Sequence, residues 1–460
     1  MDYKICKEGN RIFNELLERI KILWEEGHFK EILDLTDSSI TENNIEQIYH
    51  LKLWKSKALW RLGNFLEAQT ILKTLFSQLE KSPFQQLFAQ VLHYLGTLEV
   101  ELGRNSLALK YFESALPIHE ASGNDHGIRM TLNNMGVLLE EKGEFNKALE
   151  VFDKVKKLSI KTKDNFGLAL ALTNEASLKQ SQGFYSEAEA LCGKALKIFI
   201  ETGNIWGQAT VESRMGTVFL IQGKISAGKK ALISSLKRYK SIEAGDLFIC
   251  QNYVELILLL KDLGEIEQAN IYLNELQDLA YKSNSKKYIT RYQVAEIYVH
   301  NDNSTSVEYI KKLEQLFQET EEYRIRILIQ FLKTEIELKN IVNNKNIQSH
   351  EFKALKEVDH TLQLLLNNPK AMAMPILEVN ILIVKGLIEM LSSKNKEAFL
   401  HFGEAYKTAQ KNKLPNLEEI AKKYLNQLNL SDDVSDQKVI LLDVLSYIQE
   451  CKVLIKNFRL

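Results

Sequence analysis

The chain has 460 residues, 45 % hydrophobic and 26 % charged, with 5 Pro and 21 Gly. That apolar fraction excludes a disordered chain, and a net charge of −1, from 59 basic and 60 acidic residues, argues against a protein whose main task is to coat nucleic acid. The length allows roughly two to four domains or one repeat array.

The N-terminus has no basic segment followed by an apolar run, so no signal peptide is expected. Residues 11–40 read as a first helix pair, with Gly27 at the turn and Phe29 two positions on. From there glycines recur. Gly63, Gly103, Gly143, Gly183 and Gly223 are spaced 40 apart, and Gly264 follows 41 later. Five residues after each comes a small residue: Ala68, Ala108, Ala148, Ala188, Gly228 and Ala269. Twelve residues before that position the best units carry another: Gly96, Gly136, Ala176 and Gly216.

Each side of the recurrent glycine has helical periodicity, as in Leu92, Leu95, Leu98 and Leu102. The spacing predicts helices at Gln86–Leu102, Leu107–Glu120, Ile128–Lys142 and Phe145–Thr162. The glycine ends the first helix of each pair, where a left-handed residue is needed. The paired small residues let the two backbones approach, and Phe112 and Phe152 fill the space between units. Asn124-Asp125 and Asp164-Asn165 supply caps for the following helices. Gly127, Gly167 and Gly207, again 40 apart, mark this second turn. Glu175 and Glu212 fall where an apolar residue is usual, and Ile257 replaces the small residue of its unit.

Residues 281–370 lack interior glycine but keep helical period, with helices expected at Lys286–His300, Val307–Thr320, Glu322–Asn340 and Glu351–Asn367. The repeat then returns at Gly386, Ala398, Phe402 and Ala405. Final helices are expected at Leu417–Leu428 and Val439–Asn457, with Ser431–Asp436 as a linker. The apolar window Ile376–Leu391 contains Glu378, Asn380, Lys385 and Glu389, so no membrane span is expected.

This pattern resembles the tetratricopeptide repeat: Leu92-x2-Leu95-Gly96 then Ala108-x3-Phe112-x2-Ala115, and Leu132-x2-Met135-Gly136 then Ala148-x3-Phe152. Its 40-residue period exceeds the usual ~34. It is similar to the long-helix variant of kinesin light chains, Pins-type adaptors and Rap-type regulators. The resemblance implies an all-α, right-handed superhelical solenoid of antiparallel helix pairs, about ten units long. The expected organisation is a degenerate N-terminal pair at 1–50, a regular array at 51–285 and degenerate repeats at 286–370. A C-terminal unit at 371–430 and a capping helix at 437–460 complete it.

Catalytic signatures are missing. There is no G-x-x-x-x-G-K-[ST], no H-E-x-x-H and no G-x-S-x-G. Cys6, Cys192, Cys250 and Cys451 stand too far apart for a zinc or C-x-x-C motif. No enzyme activity, cofactor or metal is expected, and a cytoplasmic protein is.

The resemblance implies that the first helix of each unit lines a concave groove where a protein or peptide binds. Groove positions are then Tyr94 near Gly96, Asn133 and Asn134 before Gly136, Thr173 and Asn174 before Ala176, and Ser213 and Arg214 before Gly216. Tyr94, Asn134, Asn174 and Arg214 are in 40-residue register. Asn both donates and accepts, so several in register clamp an extended backbone, and Arg214 suits a carboxylate. His93 and Thr97 are neighbouring candidates. Trp54 occupies the position equivalent to Tyr94 and is a candidate ligand contact, whereas Trp24 and Trp60, three before their turn glycines, read as packing between units. Lys229, Lys230, Lys237, Arg238 and Lys240 read as a solvated outer face. The expected function is a scaffold or adaptor; the alternatives are a Rap-like peptide sensor and an accessory subunit of an enzyme or cytoskeletal complex. Neither nucleic acid nor membrane is an expected partner.

Overall fold

The structure, a computed structural model, describes residues 2–26, 28–39, 44–242, 246–300, 306–320, 375–391, 394–411 and 414–430, with isolated positions between 325 and 363. The first helices are α1 (Asp2–Glu26), α2 (Phe29–Ser39), α3 (Ile45–Arg61), α4 (Phe65–Leu79), α5 (Gln85–Glu101) and α6 (Asn105–Ala121). Then come α7 (Asp125–Glu141), α8 (Phe145–Lys161), α9 (Asn165–Ser181), α10 (Tyr185–Glu201), α11 (Ile205–Ile221) and α12 (Ile225–Ser241). They are followed by α13 (Asp246–Asp262), α14 (Ile266–Ser283), α15 (Lys286–His300) and α16 (Ser306–Glu319). The C-terminal part holds α17 (Pro375–Leu391), α18 (Asn395–Lys411) and α19 (Pro415–Leu430). Among the described residues no helix is long and apolar enough to cross a membrane.

Consecutive helices pack as antiparallel pairs in an all-α solenoid. From α5 to α12 each helix has 17 residues, about 25 Å. The turns inside the pairs carry the recurrent glycines, with φ between +74° and +86° from Gly63 to Gly264. At Gly103 (φ +78°) a Cβ residue would carry the left-handed penalty. Gly96 lies under Phe112, Gly136 under Phe152 and Gly386 under Phe402, with room for no Cβ. The small-residue pattern thus reflects helices separated by one aromatic ring.

The second turn differs from its sequence reading. Gly127, Gly167 and Gly207 lie inside the first turn of α7, α9 and α11, and the left-handed residues are Gly123, Lys163 and Gly203. The caps explain this register. Asn124, Asp164 and Asn204 each accept from the backbone N–H of that helical glycine, at 3.0, 2.9 and 2.6 Å. The glycines leave space for His119, Ser159 and Phe199 of the preceding helix.

The two misplaced acids are resolved by ion pairs. Glu175 meets Lys156 at 2.9 Å, and Glu212 meets Arg238 at 3.0 Å and Ser234 at 2.8 Å. Within the basic set, Lys229 pairs with Glu265 (2.7 Å) and Lys240 with Glu275 (3.2 Å). This face is a lattice of inter-helix pairs rather than a bare cationic surface. The helix expected at Lys286–His300 is found with those bounds, and its successor runs Ser306–Glu319. The segments 322–340 and 351–367 are described only at isolated positions, and 431–460 lies outside the described residues.

The odd-numbered helices touch next-but-one neighbours, α5 with α7, α7 with α9, α9 with α11 and α13 with α15, which makes them the inner, concave layer. The array curves until α15 returns to α5 and α7. Ser285 Oγ donates to the carbonyl of Glu101, and the Tyr288 hydroxyl donates to the Glu101 carboxylate at 2.6 Å. Lys287 Nζ lies 3.6 Å from the Glu141 carboxylate.

Candidate functional site

The inner layer carries a ladder of side-chain hydrogen bonds between successive units. Asn134 Nδ2 donates to Thr97 Oγ1 (3.1 Å), Asn174 Nδ2 to Asn133 Oδ1 (2.8 Å) and Ser213 Oγ to Asn252 Oδ1 (2.5 Å). Thr217 Oγ1 donates to Gln180 Oε1 at 3.3 Å, and Ser177 Oγ to the carboxylate of Glu140. His93 Nδ1 lies 3.1 Å from Thr131 Oγ1. These partners stand 37 to 41 residues apart. The repeat period therefore places one polar side chain of each unit beside that of the next.

The expected groove residues are all on this layer, but most are more enclosed than a solvated groove implies. Asn133, Thr173, Asn174, Ser213 and Arg214 are buried, Arg214 to 3 % exposure. Tyr94, Asn134 and Trp54 are half-buried. Thr173 turns its hydroxyl to the carbonyl of Ala169 in its own helix. Asn134 and Asn174 each commit one amide hydrogen to the neighbouring unit, which leaves a second N–H and a carbonyl oxygen on each. Side chains of α11 and α15 also lie against α3, α5 and α7, through Arg61–Trp206, Tyr288–Glu101 and Lys287–Glu141.

Trp54 belongs to a cluster that sequence reasoning did not assemble. Lys57 Nζ sits 3.1 Å from the centre of the Trp54 ring and 5.0 Å from those of Trp24 and Tyr94. One turn later, Arg61 Cζ lies 4.7 Å from the Trp60 ring, 5.0 Å from Trp24 and 5.5 Å from Trp206 of α11. All four tryptophans of the chain thus gather around two cations of one helix. Burial, together with the charges of Arg61 and Lys21, holds the Lys57 ammonium well below the usual lysine pKa. Burial likewise lowers Arg61 to about 10. The signal was present in the register. Lys57 lies 40 residues before Thr97 and Arg61 40 before Glu101, both on the inner helix. Trp24 packs edge-on against Trp54 and Phe29, a contact between α1 and its neighbours.

Among the described residues, no group of three or more His, Cys, Asp or Glu has a geometry that would hold a metal. Cys192 and Cys250 are buried.

Comparison with known proteins gives a family match over part of the chain and a similar fold. Residues 87–161 match the family model described as tetratricopeptide repeat. A search of curated proteins finds none that matches this sequence. Among solved structures, a Rap protein complexed with competence and sporulation factor is similar with a TM-score of 0.52. Its identity is 11 %, over 88 % of this chain and 98 % of its own. A signal transduction ATPase with numerous domains and a tetratricopeptide repeat sensor, from Pyrococcus horikoshii, aligns at 14 % identity and TM-score 0.41. There the alignment spans 89 % of this chain and 55 % of that one. A tetratricopeptide repeat protein from Parabacteroides merdae aligns at 18 % identity and TM-score 0.35, over 61 % of this chain and 98 % of its own.

Proposed function

Taking the chain as a tetratricopeptide-repeat protein whose fold resembles that of a Rap-type regulator, we propose that it binds an extended peptide along the inner layer formed by α5, α7, α9 and α11. A repeat solenoid of this kind is a protein-interaction module, adaptor or regulator. The observation that carries the finer reading is the asparagine ladder. Asn134 and Asn174 are held in place by bonds to Thr97 and Asn133, and each keeps a donor and an acceptor for a peptide backbone. Side chains fixed before binding lower the ordering cost of association.

The test is a peptide selected from a displayed library against the full chain. Asn134→Ala with Asn174→Ala is expected to weaken it by about tenfold or more, the loss of two good hydrogen bonds. Unchanged affinity overturns the groove reading. Arg214 is left out because its burial would confound binding with folding.

A second reading, a regulator whose superhelix changes pitch when ligand enters, is supported by the contacts of Glu101 with Ser285 and Tyr288. A ligand that favours one pitch must make or break those contacts. Small-angle scattering of the chain with and without the selected peptide tests it. A change in radius of gyration supports the regulator, and identical curves with bound peptide support a rigid adaptor. The Rap protein of similar fold was solved with a competence and sporulation factor; a signalling peptide for this chain belongs to the same proposal.

A further inference from the structure

We propose that the C-terminal ends of α6, α8, α10 and α12 form a self-complementary edge, at which two copies of this chain pair about a two-fold axis.

The argument starts from one repeat position. These four outer helices have equal length and lie 40 residues apart, so their ends line one edge of the array. Their next-to-last residues are Glu120, Ile160, Ile200 and Lys240. All four are exposed, Ile160 to 60 % and Ile200 to 58 %. The charged members show that this position faces water, so packing within the chain does not call for isoleucine there. The helix α8 buries a different face, through Phe145, Ala148, Phe152 and Val155. Phe166 and Ile205, at the starts of α9 and α11, are exposed on the same edge and widen the patch. Phe166 is steadied by Phe199 and Trp206, with ring centres 5.8 and 6.1 Å away. A contiguous apolar patch with a polar rim marks a contact surface.

The order of the four residues selects the occupant. Along the edge it reads acid, apolar, apolar, base. A two-fold axis between α8 and α10 reverses that order on a second copy. Ile160 then meets the partner's Ile200, and Glu120 meets the partner's Lys240. The last residues of the helices follow the same rule. Lys161 ends α8 and Glu201 ends α10, and the same axis brings them together. Their pairs within the chain, with Asp125 and Lys197, are long at 3.8 and 3.9 Å. The like charges brought together, Lys157 and Lys197, sit one turn back from the edge, and Asp153 pairs with Lys157 at 2.6 Å. Contact with an unrelated protein does not require this mirrored order, whereas an isologous contact does. Neighbouring helices lie about 10 Å apart, so four ends run roughly 30 Å, the scale of a standard interface of about 800 Å² per partner.

Sedimentation velocity of the full chain, over a concentration series reaching about 100 μM, tests the pairing. A reversible dimer is expected. Ile160→Asp with Ile200→Asp should raise its Kd about tenfold or more, with circular dichroism unchanged. Charge reversal tests the axis itself. Glu120→Lys alone, or Lys240→Glu alone, places like charges at both outer contacts of a homodimer, and each chain is expected to be monomeric. Mixed in equal amounts, the two chains have opposite charges at both contacts again, and the dimer should return. The pair that Lys240 makes with Glu275 in its own chain is exposed on both sides, so its loss costs the fold little. A wild-type chain that stays monomeric throughout overturns the proposal. So does a dimer undiminished by the paired Asp substitutions, or a mixture of the reversed chains that associates no better than either alone.

Discussion

Tyr288 donates its hydroxyl to the carboxylate of Glu101 at 2.6 Å, between residues 187 positions apart. The bond joins the start of α15 to the end of α5, and Ser285 adds a second bond to the same residue. Tyr288 is buried, and burial together with Glu101 pushes its pKa well up, so the hydroxyl stays a donor at any physiological pH. A repeat array otherwise depends on nearest-neighbour contacts. This contact instead ties α15 to α5, far apart in the sequence.

Tyr288→Phe removes the hydroxyl and keeps the ring. A bond to a charged acceptor contributes about 1.5–3 kcal/mol, and here the loss falls on the contact between α15 and α5. The expected result is a larger radius of gyration and faster amide exchange in α15, with circular dichroism unchanged. Identical scattering and exchange would show that the turns stay closed without this bond.

Lys163 tests the turn logic. It adopts φ +55° at the place where neighbouring units have Gly123 and Gly203. A Cβ residue in that region carries a penalty of roughly 1–2 kcal/mol, partly offset by the greater unfolded-state freedom of glycine. Lys163→Gly is therefore expected to stabilise the chain by about 0.5–1 kcal/mol. A lowered melting temperature would mean that the lysine makes a contribution the strain argument omits.

The small residues of the inner helices co-vary with what faces them. Gly96 and Gly136 lie under Phe112 and Phe152, and Ala176 stands at the equivalent place in the unit that carries Cys192 instead of Phe. A Cβ at Gly96 would come within 2.6 Å of Phe112 Cε1. Gly96→Ala gains about 1 kcal/mol of helix propensity, but overpacking a rigid buried ring costs about 1–3 kcal/mol. The net effect is expected to be destabilising. In a Phe112→Cys background the same change should be neutral or favourable. Equal effects in both backgrounds, measured by denaturant unfolding, would refute the pairing.

Much of this was legible because a 40-residue period turns local chemistry into a repeated signal. The turn glycines, the caps at Asn124 and Asp164, and the ring over Gly96 each follow from nearest neighbours in sequence or from the next unit. The register of Asn134 and Asn174 on successive inner helices was legible for the same reason, since they occupy one position of successive units. Three things were not. The role of Gly127 depends on the volume of His119 across the turn, so its spacing alone misread it as a turn residue. The tryptophan cluster gathers residues of α1, α3 and α11, and the Glu101–Tyr288 bond depends on superhelical pitch. Pitch is a sum of small inter-unit rotations that no single motif encodes.

Acid should loosen the middle of the array. Burial pushes His93 down to about 3 and His119 down to about 4, and the neighbouring histidines add to both shifts. His126 is lowered by burial and by Arg129, whose guanidinium lies 2.8 Å from His126 Nδ1. Arginine only donates, so that nitrogen is unprotonated in the fold. In the unfolded chain these groups bind protons near pH 6.5. Between that value and their folded pKa values the unfolded state therefore holds more protons, and stability falls as pH falls. The contribution is present above about pH 6.5 and drains away as pH drops toward 4. The melting temperature is expected to decline from pH 7 to pH 5, before most carboxylates titrate. His93→Gln, which keeps a polar group beside Thr131, should flatten that slope. A slope equal in wild type and variant would assign the acid sensitivity to other groups.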